Sequence, residues 1–197
     1  MSTLNEYYKN LNIHTFEGHS QQCKPETEFL KNIVDNPDII NIMEIGFNAG
    51  HSAETFLSSN KNINLTSFDI GEKDYLKHGK EYIDKTYPNR HKIIIGDSLI
   101  TVPEFSKNND QKFDIIFIDG GHEYNVAHGD ILNCKNLAHG KTIVILDDTI
   151  DDINLMNVWN EGPTKAWNET KESNIIKQIG SLDFSHGKGL SWGNYLF

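Results

Sequence analysis

The residues whose types and spacing most clearly suggest chemistry are four aspartates at the end of an apolar run, in "IVILDDTIDD" (143–152). Asp147 and Asp148 follow the run directly, and Asp151 and Asp152 come next. Carboxylates this close together repel one another unless a cation joins them, and the repulsion grows where water is excluded. The pattern indicates a cation at the end of a buried strand. An acidic loop in solvent is the alternative, and we expect Asp151 and Asp152 to be loop surface.

A second candidate site is the glycine loop "EIGFNAGHS" (44–52). Gly46 and Gly50 flank a tight turn where a side chain would obstruct a ligand that approaches the backbone. The spacing is G-x-x-x-G, and Asn48 stands where the nicotinamide-cofactor fingerprint G-x-G-x-x-G has its middle glycine. Glu44 suits a cationic amino-acid group better than a diphosphate. A nicotinamide-dependent oxidoreductase is therefore the disfavoured alternative.

Both candidate sites follow apolar runs that recur along the chain. Five such runs, rich in Ile, Val or Phe, span residues 41–46, 64–70, 91–97, 113–120 and 141–148. Runs that are apolar almost throughout are typical of parallel strands covered on both faces. Their alternation with helix-like stretches predicts an open, doubly wound α/β sheet. In such a sheet, ligands bind beyond the carboxyl ends of the strands.

The two ends of the chain depart from this alternation. Residues 24–36 predict an additional helix, and the runs 175–184 and 189–197, joined by a glycine-rich turn, predict an antiparallel hairpin. The sheet therefore has seven strands, mostly parallel. Because no linker or repeat interrupts the chain, we predict a single domain over residues 1–197.

The helix-like stretches between the strands carry their own stop and start signals. In the stretch 123–140, four residues can share one apolar face, and Gly140 is a plausible stop. Those four residues are Val126, Ile131, Leu132 and Leu137. Between the fifth and sixth strands, Pro163 predicts the start of a short helix.

The glycine loop resembles motif I of the class I S-adenosylmethionine-dependent methyltransferases. The later motifs resemble the metal-dependent catechol and caffeoyl-CoA O-methyltransferase group, and "DGGHEY" and "GPTKAW" are most similar to its macrolide-sugar branch. The resemblance extends from about residue 24 to the end. It implies the Rossmann-like methyltransferase fold, S-adenosylmethionine as cofactor and O-methylation of a small molecule. Residues 1–36 would then cover the cofactor.

The resemblance implies cofactor-binding residues at four strand ends. These are Glu44, Gly46, Asn48, Gly50 and Ser52 in the loop, Asp69 after the second run, Asp97 and Ser98 after the third, and Asp119 after the fourth. Asp69 would bind the ribose hydroxyls. Asp97 and Ser98 would lie around the adenine. Helix capping is the alternative for Asp69 and Ser98.

The resemblance also implies a metal site. In the metal-dependent family one aspartate ends the fourth strand and two adjacent residues end the fifth, and Asp119, Asp147 and Asp148 match those positions. Adjacent parallel strands lie about 4.8 Å apart, so side chains at their ends can reach one ion. Carboxylate ligands suit Mg²⁺, with Mn²⁺ or Ca²⁺ as alternatives.

The catalytic base implied by the resemblance is His122, at the position of a lysine in catechol-type relatives, three residues after Asp119. Imidazole titrates near neutrality and suits proton transfer. Some sugar-methylating relatives have an aspartate where this chain has Gly121. A surface histidine is the alternative. Trp159 and Trp167 would either stack on the acceptor or pack in the core.

The acceptor is expected to be a hydroxyl of a small polar molecule. The similarity to the macrolide-sugar branch favours a sugar or glycoside, and a catechol-type acceptor is the alternative. A non-catalytic module that binds S-adenosylmethionine is the remaining hypothesis.

The composition excludes several other classes of protein. A formal net charge of −10 over 197 residues leaves no basic face for nucleic acid. No apolar run reaches the roughly 20 residues of a membrane span, and the N-terminus lacks a signal-peptide pattern. The two distant cysteines predict free thiols in a reducing compartment, hence a cytoplasmic protein. Homo-oligomerisation is left open.

Overall fold

The computed structural model describes residues 3–197 and contains a seven-stranded sheet of strand order β3-β2-β1-β4-β5-β7-β6. Strands β1 to β5 pair in parallel, whereas β7 runs antiparallel to both β5 and β6. The bounds are β1 Asn41–Ile45, β2 Asn64–Asp69, β3 His91–Ile95, β4 Phe113–Ile118, β5 Ala138–Asp147, β6 Ile176–Asp183 and β7 Gly189–Tyr195. The predicted fold class, including the C-terminal hairpin, is confirmed.

Within residues 3–197, seven α-helices cover the two faces of the sheet. They are α1 Leu4–Asn10, α2 Lys24–Ile33, α3 His51–Ser59, α4 Leu76–Thr86, α5 Ser98–Asn108, α6 Tyr124–Cys134 and α7 Val158–Glu172. Helices α1 to α4 pack on one face, here called the α2 face, and α5 to α7 pack on the other, the α6 face. Alternate residues of β4 serve the two cores: Ile115 and Phe117 point to the α2 face, and Ile116 and Ile118 to the α6 face.

Helix α1 was not predicted from the sequence, although Thr3 and Glu6 form a capping box at its start. Tyr8 is buried, and its hydroxyl donates to the Ala49 carbonyl (2.9 Å) and lies 3.0 Å from the Tyr75 carbonyl oxygen. The first helix is thereby attached to the glycine loop. The predicted helix over 24–36 corresponds to α2.

Three local predictions were wrong. Gly140 does not end a helix, because α6 stops at Cys134 and Gly140 lies within β5. Leu132 is 38% exposed and does not join the apolar face of α6. Pro163 does not start a helix but lies inside α7, which begins at Val158 behind a capping box formed by Asn157 and Asn160.

Among residues 3–197 no helix is both long enough and apolar enough to cross a membrane. Cys23 and Cys134 are buried free cysteines on opposite faces of the sheet.

Candidate active site at the carboxyl edge of the sheet

The glycine loop and the predicted acidic residues meet because β1, β4 and β5 are neighbours in the sheet. At Gly46 the glycine loop comes into close contact with the end of β4. The φ of Gly46 is +95°, and a Cβ added there would lie 1.8 Å from the carbonyl oxygen of Asp119. The amide of Asp119 donates to the Ile45 carbonyl (2.9 Å), so the ends of β1 and β4 are held together. No residue but glycine fits at position 46 without displacing β4.

The loop itself is held in shape by Asp69 at the end of β2. Its carboxylate accepts from the amides of Asn48 and Gly71, both at 2.8 Å. Asn48 has a left-handed φ of +50°, and its side-chain amide donates to the carbonyls of Glu17 and Gly18. The N-terminal segment therefore lies against the loop. The ribose role of Asp69 and the cofactor role of Asn48 stay predictions.

Glu44 lies beneath the loop and is fully buried. The hydroxyls of Ser52 and Ser67 donate to its two carboxylate oxygens, at 2.8 and 2.5 Å. Burial raises the pKa of Glu44 to about 7, and the two serine bonds oppose that rise. Glu44 therefore supports the glycine loop from the protein interior, through its hydrogen bond with the Ser52 hydroxyl.

The predicted adenine residues lie at the start of α5. Asp97 is the N-cap, and its carboxylate accepts from the Leu99 amide (2.9 Å). Ser98, the first helical residue, lies beside Asp130 of α6, which is fully buried. Burial raises the pKa of Asp130 to about 7, against the effect of the Ser98 hydroxyl. Sequence reasoning missed Asp130, because nothing in its helix marks it as buried.

Three side chains converge at the ends of β4 and β5. Single ligand atoms of Asp119, His122 and Asp148 all lie within 4.8 Å of one another. The Nε2 of His122 lies 3.0 Å from Oδ2 of Asp148. The converging set contains His122 in place of Asp147. The predicted metal ligands Asp119, Asp147 and Asp148 are close in the fold, but only two of them belong to this group.

Side-chain alternation along β5 explains why Asp147 and Asp148 separate. Ile143 and Ile145 face the α2 core, so Asp147, two residues further on, faces the same side. Asp148 then adopts a left-handed φ of +56°, which turns the chain after the strand. Asp151 and Asp152 are exposed, as predicted, and their amides donate to Asp183.

The electrostatics of these residues favour a cation. Burial, followed by repulsion from Asp148, raises the pKa of Asp119 to about 7. The pKa of Asp147 is raised by burial and then by Glu26. The pKa of His122 is raised chiefly by its hydrogen bond to Asp148. Oxygen and imidazole ligands around an ion, with carboxylates that repel in its absence, fit a divalent metal.

Helix α7 holds the loop that carries His122. A Cβ added at Gly162 would lie 2.1 Å from the His122 carbonyl oxygen and 2.8 Å from the Tyr124 amide. The ring of Trp159 lies 6.1 Å from the imidazole. A small cleft lined by Asp119, His122, Asp148 and Pro163 opens between these elements. Trp167, in contrast, is a buried core residue.

Replacing Gly162 with alanine is expected to destabilise the protein by about 2 kcal/mol, because the new methyl group would overlap the His122 loop. Helix propensity alone predicts the opposite sign, a gain of about 1 kcal/mol. Urea unfolding at 25 °C measures the difference. Gly140→Ala is the control, since no atom lies within 4 Å of a Cβ at that position. Equal stability of the two variants would contradict the close packing of α7 on this loop.

The N-terminal segment packs beside the glycine loop through an aromatic cluster. The rings of His19 and His51 stack with centroids 3.7 Å apart, and Phe16 meets both edge-on. Burial lowers the pKa of His19 to about 4 and that of His51 to about 3, so both are neutral near pH 7. The predicted covering role of residues 1–36 stays a proposal, and residues 1–2 lie outside the described part.

Several solved structures of similar fold are O-methyltransferases by name. A protein from Staphylococcus aureus assigned as a caffeoyl-CoA O-methyltransferase has a TM-score of 0.77 at 17% identity, covering 100% of this chain and 93% of that chain. An O-methyltransferase from Bacillus cereus in complex with SAH has a TM-score of 0.74 at 17% identity, covering 97% and 90%. TomG, an O-methyltransferase from Streptomyces achromogenes involved in tomaymycin synthesis and solved with SAM, has a TM-score of 0.74 at 11% identity, covering 98% and 88%. The fold is therefore the Rossmann-like methyltransferase fold.

The chain belongs to the methyltransferase domain family, whose model matches residues 43–149. This range begins in β1 and ends just after Asp148. The predicted relationship to methyltransferases is confirmed. No curated protein matches the chain significantly.

Proposed function

We propose that the protein is an S-adenosylmethionine-dependent O-methyltransferase that acts on a hydroxyl of a small polar acceptor. The observation that carries this proposal is the convergence of Asp119, His122 and Asp148 directly beside the glycine loop. A donor site and an acid-base site at one edge of the sheet are what methyl transfer requires. The O-methyltransferases of similar fold that were solved with SAH or SAM support the choice of cofactor.

The cofactor is proposed to bind across the carboxyl ends of β1 to β4. The loop from Gly46 to Gly50 would offer its backbone to the ligand, and Ser52 supports the loop through its bond to Glu44. Asp69 would bind the ribose through a carboxylate that already holds the loop. The orphaned Oδ1 of Asn48, buried with no partner among the described residues, is an acceptor that fits a ligand donor.

A divalent ion is proposed to bind between Asp119 and Asp148, with Asp147 as the third predicted ligand. When bound, Mg²⁺ would act as a Lewis acid toward the acceptor hydroxyl and as a template for its orientation. The repulsion between the two carboxylates raises the pKa of Asp119, and an ion bound between them would offset that repulsion. Mn²⁺ and Ca²⁺ are the alternatives.

His122 is proposed as the base that accepts the proton of the acceptor hydroxyl at Nδ1, because Nε2 carries the hydrogen that it donates to Asp148. Asp148 orients the ring through the 3.0 Å contact and stabilises the imidazolium that forms. Methyl transfer is an in-line displacement, so the deprotonated oxygen must lie opposite the sulfonium. Pro163 lines the cleft, and the ring of Trp159 lies beside the imidazole of His122.

We propose a sugar or glycoside as acceptor, supported by the similarity of "DGGHEY" and "GPTKAW" to the macrolide-sugar branch and by the half-buried Trp159 ring beside the base. Indole rings stack well on sugar faces, since both are broad and partly apolar. A catechol-type acceptor is the second candidate.

The test is a thermal shift series with S-adenosylmethionine, in Mg²⁺ and in EDTA, followed by mass spectrometry of reactions with glycosides and catechols. The cofactor is expected to raise Tm in both buffers, and methylated product to form only with Mg²⁺. Absence of any shift with the cofactor would overturn the methyltransferase proposal. Binding without product from either acceptor class favours the non-catalytic module.

A further inference from the structure

Glu26 of α2 is a buried carboxylate without a hydrogen-bond partner. It is 1% exposed, and neither of its oxygens is bonded to another described residue. Burial raises its pKa to about 8, opposed by the charge of Lys188. A carboxylate is rarely retained in such a place without a charged or donor group to satisfy it. The family model match does not include α2.

The packing of α2 against β7 brings Lys188 to the same region. Leu30, one turn after Glu26, shares the α2-face core with Leu190, and Phe29 contacts Trp192 with ring centroids 4.6 Å apart. Lys188 lies two residues before Leu190, so its side chain starts on the same face. Glu26 and Lys188 thus continue the line of contacts between α2 and β7 toward the site.

The hairpin turn that carries Lys188 is fixed to α7. The side-chain amide of Asn160 donates to the Gly187 carbonyl (2.8 Å), and the Phe184 amide donates to the Lys188 carbonyl (2.6 Å). Across the sheet Asp147 pairs with Leu190, and the Thr149 amide donates to the Gly189 carbonyl (3.2 Å), so the turn lies beside the end of β5. The charges of Glu26, Asp147, Asp148 and Asp119 raise the pKa of Lys188, against the effect of its burial. Four carboxylates and one lysine therefore share one region, with the ammonium as an internal counter-ion.

We propose that Glu26 and Lys188 set the divalent-ion affinity of the Asp119–Asp148 site from outside it, with opposite signs. The Glu26 carboxyl group, which ionises as the ion binds, attracts the ion. The Lys188 ammonium repels it, and holds the carboxylates together when no ion is bound. This inference rests on the metal site of the proposed function and assigns two positioning residues to it, from the two ends of the chain.

The experiment is a titration of the full chain with Mn²⁺, followed by electron paramagnetic resonance of the free ion. Glu26→Gln is expected to weaken Mn²⁺ binding about tenfold and Lys188→Gln to strengthen it about tenfold, as a unit charge acts on a divalent ion through a partly buried region. The Mn²⁺ affinity of the double variant, Glu26→Gln with Lys188→Gln, is expected to be close to that of the wild type. Glu28→Gln on the exposed side of α2 and Lys177→Gln in the same hairpin are the controls, expected within about twofold of the wild type.

A second readout compares Tm in EDTA and in Mn²⁺. Lys188→Gln is expected to lose several degrees in EDTA and to regain them in Mn²⁺, because the ion replaces the missing ammonium. Lys188→Met, which keeps the aliphatic stem, serves if the glutamine variant does not fold.

The outcomes separate the inference from the proposed function. One outcome overturns the inference alone: the wild type binds Mn²⁺, but Glu26→Gln and Lys188→Gln each leave its affinity within about twofold, or both shift it in the same direction. No Mn²⁺ binding by the wild type overturns the metal site and the inference together. Cofactor binding and the remainder of the proposed function would survive both.

Discussion

Replacing Asp119 and Asp148 together with asparagine is expected to weaken Mn²⁺ binding and methyl transfer by about 1,000-fold each, while S-adenosylmethionine still binds. Two anionic ligands at contact distance contribute several kcal/mol to binding of a divalent ion, and each 1.4 kcal/mol is a factor of ten. The same change should stabilise the metal-free fold by about 1 kcal/mol, since it removes repulsion between two poorly solvated carboxylates. Opposite changes in stability and activity distinguish a functional site from a structural one.

Mn²⁺ titration, calorimetry with the cofactor and urea unfolding measure the three quantities. Asp151→Asn with Asp152→Asn is the control, because these exposed residues follow in the same loop. Asp147→Asn tests the third predicted ligand separately. Because the Asp147 side chain lies toward Glu26, we expect this variant to lose only about tenfold in Mn²⁺ affinity. Retention of full Mn²⁺ affinity by the Asp119 and Asp148 double variant would remove the metal from the mechanism.

Replacing Gly46 with alanine is expected to destabilise the protein by about 3 kcal/mol or more and to abolish cofactor binding. The new Cβ would lie 1.8 Å from the carbonyl oxygen of Asp119, so β1 and β4 must move apart. Overpacking of this kind costs about 1–3 kcal/mol, and the positive φ of +95° adds about 1–2 kcal/mol for a residue with a side chain. The displaced strand end carries Asp119, so the acid-base site is disturbed as well.

Gly18→Ala is the matched control for this change. Gly18 also has a positive φ, +51°, but no atom lies within 4 Å of a Cβ there. We expect it to lose only the conformational part, about 1 kcal/mol. Urea unfolding of both variants separates the two contributions, and a difference smaller than about 0.5 kcal/mol between them would contradict the contact between Gly46 and β4.

The order of strands and helices could be predicted from the sequence because burial on both faces leaves a local pattern. The runs 41–46 and 113–120 are rich in Ile or Phe, and they correspond to β1 and β4 at the centre of the sheet. The terminal hairpin was predicted from its glycine-rich turn. Two helix boundaries were predicted wrongly: Gly140 and Pro163 are typical stop and start signals, but Gly140 lies in a strand and Pro163 lies inside a helix.

The candidate site was predictable in part for a similar reason. Asp119, Asp148 and the loop from Gly46 to Gly50 follow strands directly, and the carboxyl ends of parallel strands share one edge of the sheet. His122 was implied by the resemblance, because catechol-type relatives have a lysine at this position, three residues after Asp119. The resemblance to methyltransferases added the cofactor, which residue types alone would not identify.

The sequence by itself determined the elements, the glycine loop and the identity of the acids at the strand ends, because each depends on residues close together in the chain. Only the tertiary structure decided that His122 rather than Asp147 joins Asp119 and Asp148, since side-chain direction at a strand end depends on the faces of the sheet. Likewise Glu26 and Lys188 lie 162 positions apart in the chain and share one region only because α2 packs against β7. Electrostatic partners of this kind are set by the fold, and no local pattern encodes them.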